Sequence, residues 1–289
     1  MLFDRTRLRD RPRLAEADFL HTLVAEEILD RLALVSRTFG TGLVTGPITP
    51  RLRALWQGAG ARFTFASPSA ADRPDVVADV HLPFRRAFPL AISLNELHVA
   101  NDPVTMLGEL RGTLLPDGLF LGAVACSGTL EELADALLHA EAELSGGAAM
   151  RLAPFGDVRR WGDGLARAGF SLPVTDEVRL TVRYPSLRAL LGDIGAMGLR
   201  GILATRVPAP RRLFDRAEAI YRARHGDPDG RLRASFVFAF LSGWAPDPSQ
   251  QRPARRGSAT VSLGDALRDI EGGGSRWPES APGQARRDA

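Results

Sequence analysis

The chain has 289 residues, of which 45% are hydrophobic and 25% charged, and this composition is typical of a soluble globular protein with one large or two small domains. All 37 basic residues are arginine, and 34 carboxylates leave a formal net charge of only +3. Because the arginines are scattered rather than clustered, the composition argues against a nucleic-acid-binding surface. The single cysteine, Cys126, excludes an intramolecular disulfide and ends an apolar run, which predicts a buried core residue. No run approaches the ~20 apolar residues of a membrane span, and no signal peptide is recognised, so we expect a cytoplasmic protein.

The chain opens with an arginine-rich arm and a helix. Arginines alternate along the arm, at Arg5, Arg7, Arg9, Arg11 and Arg13. The arm is either solvated or touches an acidic partner or a membrane surface. Apolar residues then recur every three or four positions and predict a helix over residues 16–35. We therefore predict three parts: an N-terminal arm and helix over residues 1–36, a main domain over 37–245, and a basic segment with a disordered tail over 246–289.

Short apolar runs alternate with helical patterns through the first part of the main domain. Strands are predicted over residues 61–65, 76–80, 90–94 and 119–126. Asp102 and Pro103 predict the start of an intervening helix, and residues 115–118 (Leu-Pro-Asp-Gly) predict a turn. Strands that alternate with helices indicate a parallel, doubly wound α/β sheet.

The later part of the main domain carries further helices and two strands of different character. Residues 129–132 (Thr-Leu-Glu-Glu) have the spacing of a capping box. Helices are predicted over 157–168, after Ser186, and over 211–224. A strand over 174–184 alternates apolar and polar residues, as a half-exposed antiparallel strand near the sheet edge does, and one over 235–244 is apolar on both faces, as an interior strand is. Residues 273–289 are polar and glycine-rich and are expected to be disordered.

Several motifs of this chain resemble those of one family. They are residues 2–5 (Leu-Phe-Asp-Arg), 81–84 (His-Leu-Pro-Phe), 97–102 (Leu-His-Val-Ala-Asn-Asp), 115–118, 128–133 (Gly-Thr-Leu-Glu-Glu-Leu), 184–186 (Tyr-Pro-Ser) and 252–262. With these motifs the chain resembles the arginine-hydroxylase assembly factors of respiratory complex I and, more distantly, the malonyl-carrier-protein methyltransferase of biotin synthesis. The resemblance implies a Rossmann-like fold of the class I S-adenosylmethionine (SAM) methyltransferase type, with an N-terminal helix and a C-terminal elaboration. It also implies a part in complex I maturation, the modification of a protein arginine, and SAM as the cofactor.

The chain departs from the family pattern at the cofactor loop. By resemblance the cofactor site falls at Gly46, Asp79, Val80 and Leu94. Only Gly46 remains of the loop glycines, since Pro47 lacks an N–H and isoleucine at 48 adds bulk. The family's acidic residue falls near valine 44, and residues 65–68 (Phe-Ala-Ser-Pro) replace a ribose-binding carboxylate. We therefore predict weak or absent SAM binding.

Candidate catalytic residues follow the strand over residues 90–94, at the sheet edge where ligands bind. Asn95 is suited to hydrogen-bond an amide or guanidinium group, and Glu96 is suited to pair with an arginine side chain. His98 is suited to act as a general base. Alternatively, His98 is a hydrogen-bonded packing residue. Glu96 and His98 also have the spacing of two non-haem iron ligands, but two residues are a weak signal, and no metal is predicted.

Two hypotheses follow for the function. In the first, the chain is an enzyme that modifies a protein arginine or transfers a methyl group through a divergent cofactor loop. In the second, it is a non-catalytic relative that binds an assembly partner. The partner is a protein, for which a complex I subunit is the first candidate, and peripheral membrane contact stays open. The basic segment over residues 252–262 is either a docking element for that partner or a segment without this role.

Overall fold

The computed structural model describes residues 1–10, 19–197, 200–250 and 262. Within them seven strands form one sheet: β1 Thr41–Thr45, β2 Arg62–Ser67, β3 Val76–Val77, β4 Phe88–Leu94, β5 Leu114–Ala125, β6 Ser171–Tyr184 and β7 Leu232–Trp244. The strand order is β3-β2-β1-β4-β5-β7-β6. β7 is antiparallel to both of its neighbours, and the other neighbouring strands are parallel. This is the class I SAM methyltransferase-like sheet, so the predicted fold class is confirmed.

Helices cover both faces of the sheet. Those in the described residues are α1 Thr6–Arg9, α2 Phe19–Ala33, α3 Pro50–Gln57, α4 Pro103–Thr113, α5 Glu131–Ser145, α6 Val158–Arg167, α7 Leu187–Ala196 and α8 Arg211–His225. The helices α2, α3, α5, α7 and α8 pack into one apolar core, and α4 and α6 pack into a second core on the opposite face. Alternate strand residues divide between the two cores; Val44, for example, lies in the first and Leu43 in the second.

The predicted contrast between the two C-terminal strands is confirmed. β7 lies inside the sheet, and its phenylalanines Phe236, Phe238 and Phe240 are 3–4% exposed. β6 is the antiparallel edge strand, and most of its residues are partly or fully exposed. Asp102 caps α4 as predicted, because its carboxylate accepts a hydrogen bond of 3.0 Å from the backbone N–H of Thr105.

One predicted turn and one predicted helix cap are wrong. Residues 115–118 lie within β5, where they bulge between two β4 pairings, Phe88 with Leu114 and Leu90 with Leu119. The predicted capping box at 129–132 is absent because both of its polar side chains bond to β7. The Thr129 hydroxyl pairs with the backbone of Val237, and Glu132 accepts from the backbone N–H and hydroxyl of Ser235. These side chains therefore attach α5 to the sheet rather than cap it.

The predicted third strand over residues 76–80 is too long. β3 contains only Val76 and Val77, and the ladder ends with a bond of 3.0 Å from the N–H of Ala78 to the carbonyl of Ser67. Asp79 and Val80 lie in a bend, which turns the Asp79 carboxylate toward the N-terminal arm.

Cys126 follows β5 and is fully buried, as predicted. Burial, and then the neighbouring Glu177 carboxylate, raise the pKa of its thiol to about 12. Because the thiolate is the reactive species, we expect no reaction with Ellman's reagent at pH 8 while the protein is folded and full reaction in denaturant. Rapid labelling of the native protein would contradict this burial.

Some predicted features lie partly or wholly outside the described residues. These are Arg11 and Arg13, the first residues of the predicted helix over 16–35, almost all of the segment over 252–262, and the tail over 273–289. Met1–Pro248 forms one compact unit, and the predicted division of the chain at residues 36 and 245 stays a prediction. Of the helices that the structure describes, none has the length and apolar character needed to cross a membrane.

Candidate functional site

The carboxyl ends of β1 and β4 meet at the middle of the sheet, and the chain leaves them in opposite directions. Such switch points are where open α/β sheets bind ligands. Thr45 of β1 pairs with Ser93 of β4, so the residues that follow both strands are neighbours. Gly46 follows β1, and Asn95 follows β4 with a left-handed φ of 47° that asparagine tolerates better than most residues.

The loop after β1 is closed tightly against β4. Gly46 has a φ of 116°, and a Cβ at this position would overlap the carbonyl oxygen of Leu94. The Ile48 side chain is only 4% exposed, and the Thr49 hydroxyl accepts a hydrogen bond of 3.1 Å from the N–H of Leu52. Because Pro47 and Pro50 have no N–H, the loop presents few backbone donors to a ligand.

The side chains at and just beyond the end of β2 likewise make contacts within the protein. Phe65 is 1% exposed, and the Arg53 guanidinium lies 4.2 Å from the centre of its ring. Asp75 accepts the backbone N–H of Phe65 at 2.8 Å, and Asp72 accepts the hydroxyl of Ser67 at 2.8 Å. The carboxylates beyond this strand therefore stabilise the turn.

The N-terminal arm inserts an arginine beside the cofactor-site residues. Arg5 donates from Nε and Nη2 to Asp79 Oδ1, with a length of 2.9 Å for the Nε bond, and from Nη2 to Glu96 Oε1 at 3.3 Å. Its Nη1 donates to the carbonyl of Val99 at 3.2 Å. The side chains of Arg5, Asp79 and Glu96 are 8%, 14% and 6% exposed, so this is a buried ion-pair network.

Hydrogen bonds to the backbone of the arm hold it in place. The Asn101 side chain accepts from the N–H groups of Leu2 and Phe3, both at 2.9 Å, and donates to the carbonyl of Phe3 at 3.0 Å. The arm also pairs with the chain near Ile202, where the N–H of Asp4 donates to the carbonyl of that residue at 2.9 Å. Asn101 therefore joins the arm to the bend that precedes α4, beside the cap residue Asp102.

Little space remains where the adenosyl group would lie. Gly46, Pro47, Pro68, Asn95 and Glu96 line a cavity of about 20 Å³. Such a volume is enough for about one water molecule. The residues present therefore do not fit SAM in this conformation: the cavity is too small, the loop lacks donors, and Arg5 already occupies the Asp79 carboxylate.

A larger cavity of about 240 Å³ lies on the other side of Asn95. Its walls are mostly apolar and include Phe155, Phe236 and Phe238, and its polar lining includes His21, Asn95 and His98. His21 Nδ1 and Asn95 Nδ2 are 2.9 Å apart, so α2 and the residue after β4 are joined at the cavity wall.

His98 lies in a short 3₁₀ turn, Leu97–Val99, and is 8% exposed. Its ring centre is 5.9 Å from that of Phe155. Burial, and then the positive charge of Arg5, lower the pKa of His98 to about 4. The imidazole is therefore neutral at pH 7, which makes it a weak base for proton abstraction.

Comparison with known proteins places this chain in a family. The chain is 33% identical over 262 residues to a zebrafish (Danio rerio) protein described as "Arginine-hydroxylase NDUFAF5, mitochondrial", a match that covers 86% of this chain and 82% of that protein. The chain belongs to the NDUFAF5 family. It is also 30% identical over 276 residues to a malonyl-[acyl-carrier protein] O-methyltransferase of Halorhodospira halophila, covering 87% of this chain and 90% of that enzyme.

Other comparisons are less informative than the NDUFAF5 match. A solved phosphoethanolamine N-methyltransferase 2 of Haemonchus contortus is 12% identical, with a TM-score of 0.45 over 78% of this chain and 53% of that one. No protein-family model matches the chain.

The structure divides the predicted catalytic residues of this NDUFAF5 relative between the two cavities. Glu96 faces the small cavity and contacts Arg5. His98 faces the large cavity, and Asn95 lines both cavities. Their catalytic roles stay predictions. In the part of the chain that the structure covers, no group of three or more His, Cys, Asp or Glu residues is arranged to hold a metal ion.

The predicted cofactor-site residues have other contacts. Gly46 lines the small cavity, Asp79 binds Arg5, and Leu94 is fully buried beneath the loop. Val80 lies in the bend after β3 and packs against the second core. Arg5 was not predicted as a site residue, although the Leu-Phe-Asp-Arg motif that contains it is part of the family resemblance.

The state of His98 predicts a pH dependence of stability. Its pKa is about 4 in the folded chain, against an ordinary value of 6.5, so the unfolded chain takes up the proton first as pH falls. The stability tied to neutral His98 is complete above pH 6.5 and is lost as pH drops toward 4, by about 2 kcal/mol at pH 5. Urea unfolding between pH 7 and 5 measures this loss. His98→Phe should abolish that part of the slope, whereas His81→Phe at a site 83% exposed should retain it.

Proposed function

We propose that this NDUFAF5 relative contributes to complex I maturation in the cytoplasm by binding a protein partner, without using SAM. Its membership of the NDUFAF5 family supports the maturation role. The observation that carries the proposal is the network of Arg5 with Asp79 and Glu96, because the chain's own arginine occupies the carboxylate that the family pattern assigns to the cofactor. Nucleic acid is not expected as a partner.

Methyl transfer requires the adenosyl group to be held firmly at the end of β1. Here Pro47 and Pro50 have no N–H to donate, and the Ile48 side chain is buried in the loop. A cavity of about 20 Å³ remains beside the loop. Opening the site would require the arm to leave and would break the ion pairs of Arg5 with Asp79 and Glu96. Both changes cost free energy that a weak ligand does not supply.

A second function, modification of an arginine on the partner, is favoured by one observation. Asp79, Glu96 and the carbonyl of Val99 together hold the guanidinium of Arg5. A site of this kind is chemically suited to a guanidinium from another chain once the arm has left. This function agrees with the name of the zebrafish relative, an arginine-hydroxylase.

Titration of the full chain with SAM tests the closed site. We expect no measurable heat up to about 1 mM SAM in isothermal calorimetry, which corresponds to a binding free energy weaker than about −4 kcal/mol. An active SAM-dependent methyltransferase under the same conditions is the positive control. Low-micromolar binding with unit stoichiometry would overturn the proposal that SAM is not used.

Deletion of the gene separates the two functions. Loss of assembled complex I in the deletion strain, restored by the wild-type gene, is expected under both. Mass spectrometry of the complex I subunits then decides between them. Under the binding function, no arginine gains a methyl group or an oxygen atom when the gene is restored. A gain that depends on the gene would favour the modifying enzyme, and normal complex I in the deletion strain would contradict both.

A further inference from the structure

Two hydrogen-bonding groups on residues that line the larger cavity have no partner among the described residues. Asn95 Oδ1 and His98 Nδ1 are buried and have no hydrogen-bond partner within the described ranges. The two side chains are 6% and 8% exposed, and both line the cavity of about 240 Å³. Buried polar atoms are normally paired, so two unpaired atoms on residues that line a mostly apolar cavity indicate a ligand that pairs with them.

The orientation of the Asn95 amide follows from its neighbours. His21 Nε2 lies 3.4 Å from the carbonyl oxygen of Met197, which only accepts, so this nitrogen carries the proton. Nδ1 of His21 is then an acceptor, and the contact of 2.9 Å to Asn95 requires the amide nitrogen to donate. The remaining Oδ1 of Asn95 therefore offers the cavity an acceptor.

The charged groups around the cavity disfavour a charged ligand beside Asn95 and His98. Of the two described arginines that line the cavity, Arg151 is engaged by Glu141 and by the carbonyls of Val207 and Pro208. The other, Arg206, donates to the carbonyl of Gly201 at 3.3 Å. The Thr129 hydroxyl is paired with the backbone of β7. An anion would meet the Asn95 carbonyl oxygen, and a cation would find no carboxylate among the described residues that line the cavity.

We propose that this cavity binds a neutral, mainly hydrocarbon small molecule that carries one hydroxyl group, such as an alkylphenol. The hydroxyl donates to Asn95 Oδ1 and pairs with the His98 imidazole through the same oxygen. The hydrocarbon part lies against Phe155, Phe236 and Phe238. With the proton of His98 on Nδ1, a hydroxyl oxygen accepts from His98 and donates to Asn95 Oδ1, so one neutral group pairs with both atoms and brings no charge into the mostly apolar cavity. This inference does not rest on the closed SAM site, so the two stand or fall separately.

Four probes of matched shape test the proposal on the full chain: para-propylphenol, propylbenzene, para-propylbenzoate and para-propylbenzylamine. Saturation-transfer NMR and calorimetry should show the phenol bound at one site. The other three should bind about tenfold more weakly or worse, because they leave polar atoms unpaired or bury a charge. In His98→Phe the advantage of the phenol over propylbenzene should disappear. Leu34→Ala, at a side chain 84% exposed that does not line the cavity, should leave all affinities unchanged.

Three outcomes would overturn the proposal. In the first, no probe binds at its solubility limit. In the second, propylbenzene, the benzoate or the benzylamine binds as tightly as the phenol. In the third, folded His98→Phe keeps the preference for the phenol. If His98→Phe fails to fold, the ranking of the four probes on the wild-type chain decides alone.

Discussion

Arg5→Met is expected to lower the free energy of unfolding by about 3 kcal/mol, because it removes the buried guanidinium that contacts both Asp79 and Glu96. Arg5, Asp79 and Glu96 are 8%, 14% and 6% exposed, so water replaces the lost guanidinium poorly. Methionine keeps most of the aliphatic stem, and the measured loss therefore reports the charge rather than packing. Urea unfolding at neutral pH measures it.

Arg9→Met is the matched control. Arg9 also contacts Asp79, at 3.4 Å, but its side chain is 60% exposed, and exposed pairs of this kind contribute at most about 1 kcal/mol. Adding Asp79→Asn to Arg5→Met should recover part of the lost stability, since it removes a largely buried charge whose remaining guanidinium contact, Arg9, is exposed. Equal losses for Arg5→Met and Arg9→Met would show that the arm does not hold a buried ion pair.

The architecture of the sheet is predictable from local patterns in the sequence. The alternation of strands and helices, the two apolar faces of β7 and the half-exposed pattern of β6 each depend on residues that are close in sequence. The residue pattern on each face of a strand then predicts whether that face is buried. Phe236 and Val237 lie on opposite faces of β7 and pack into different cores. These predictions needed no knowledge of distant contacts.

Predictions that depended on which partner a polar side chain selects were less successful. Thr129 and Glu132 have capping-box spacing, yet both bond to β7, about 100 residues away in sequence. The Leu-Pro-Asp-Gly motif has turn chemistry but lies within β5, where Asp117 donates its N–H to the carbonyl of Ala245. Tertiary hydrogen bonds outweighed the local preference in both cases.

The candidate site shows the same division. Pro47 and Ile48 are visible in the sequence and predict an altered cofactor site. The occupation of Asp79 by Arg5 is not visible, because the two residues are 74 positions apart and meet only through the pairing of the arm with Asn101 and Ile202. Likewise, the orphaned atoms of Asn95 and His98 emerge only when the cavity around them is known.

Gly46→Ala is expected to lower the free energy of unfolding by at least about 3 kcal/mol, even though the change adds only one methyl group. The φ of Gly46 is 116°, which non-glycine residues rarely adopt, and the new Cβ would overlap the carbonyl oxygen of Leu94. That oxygen belongs to the backbone of a fully buried strand end, so it is not free to move. Thermal and urea unfolding measure the effect.

Two glycines on the surface separate the contributions to this loss. Gly60 has a φ of 79°, and a Cβ added there would meet no atom within 4 Å, so Gly60→Ala should cost about 1 kcal/mol from the backbone alone. Gly40→Ala, with open space and no left-handed φ, should change stability by less than about 0.5 kcal/mol. If Gly46→Ala matched Gly60→Ala, the loop would have room to move away from β4, and a ligand would have room to enter. A loss well beyond that of Gly60→Ala means instead that the glycine retained from the cofactor loop now holds β1 against β4.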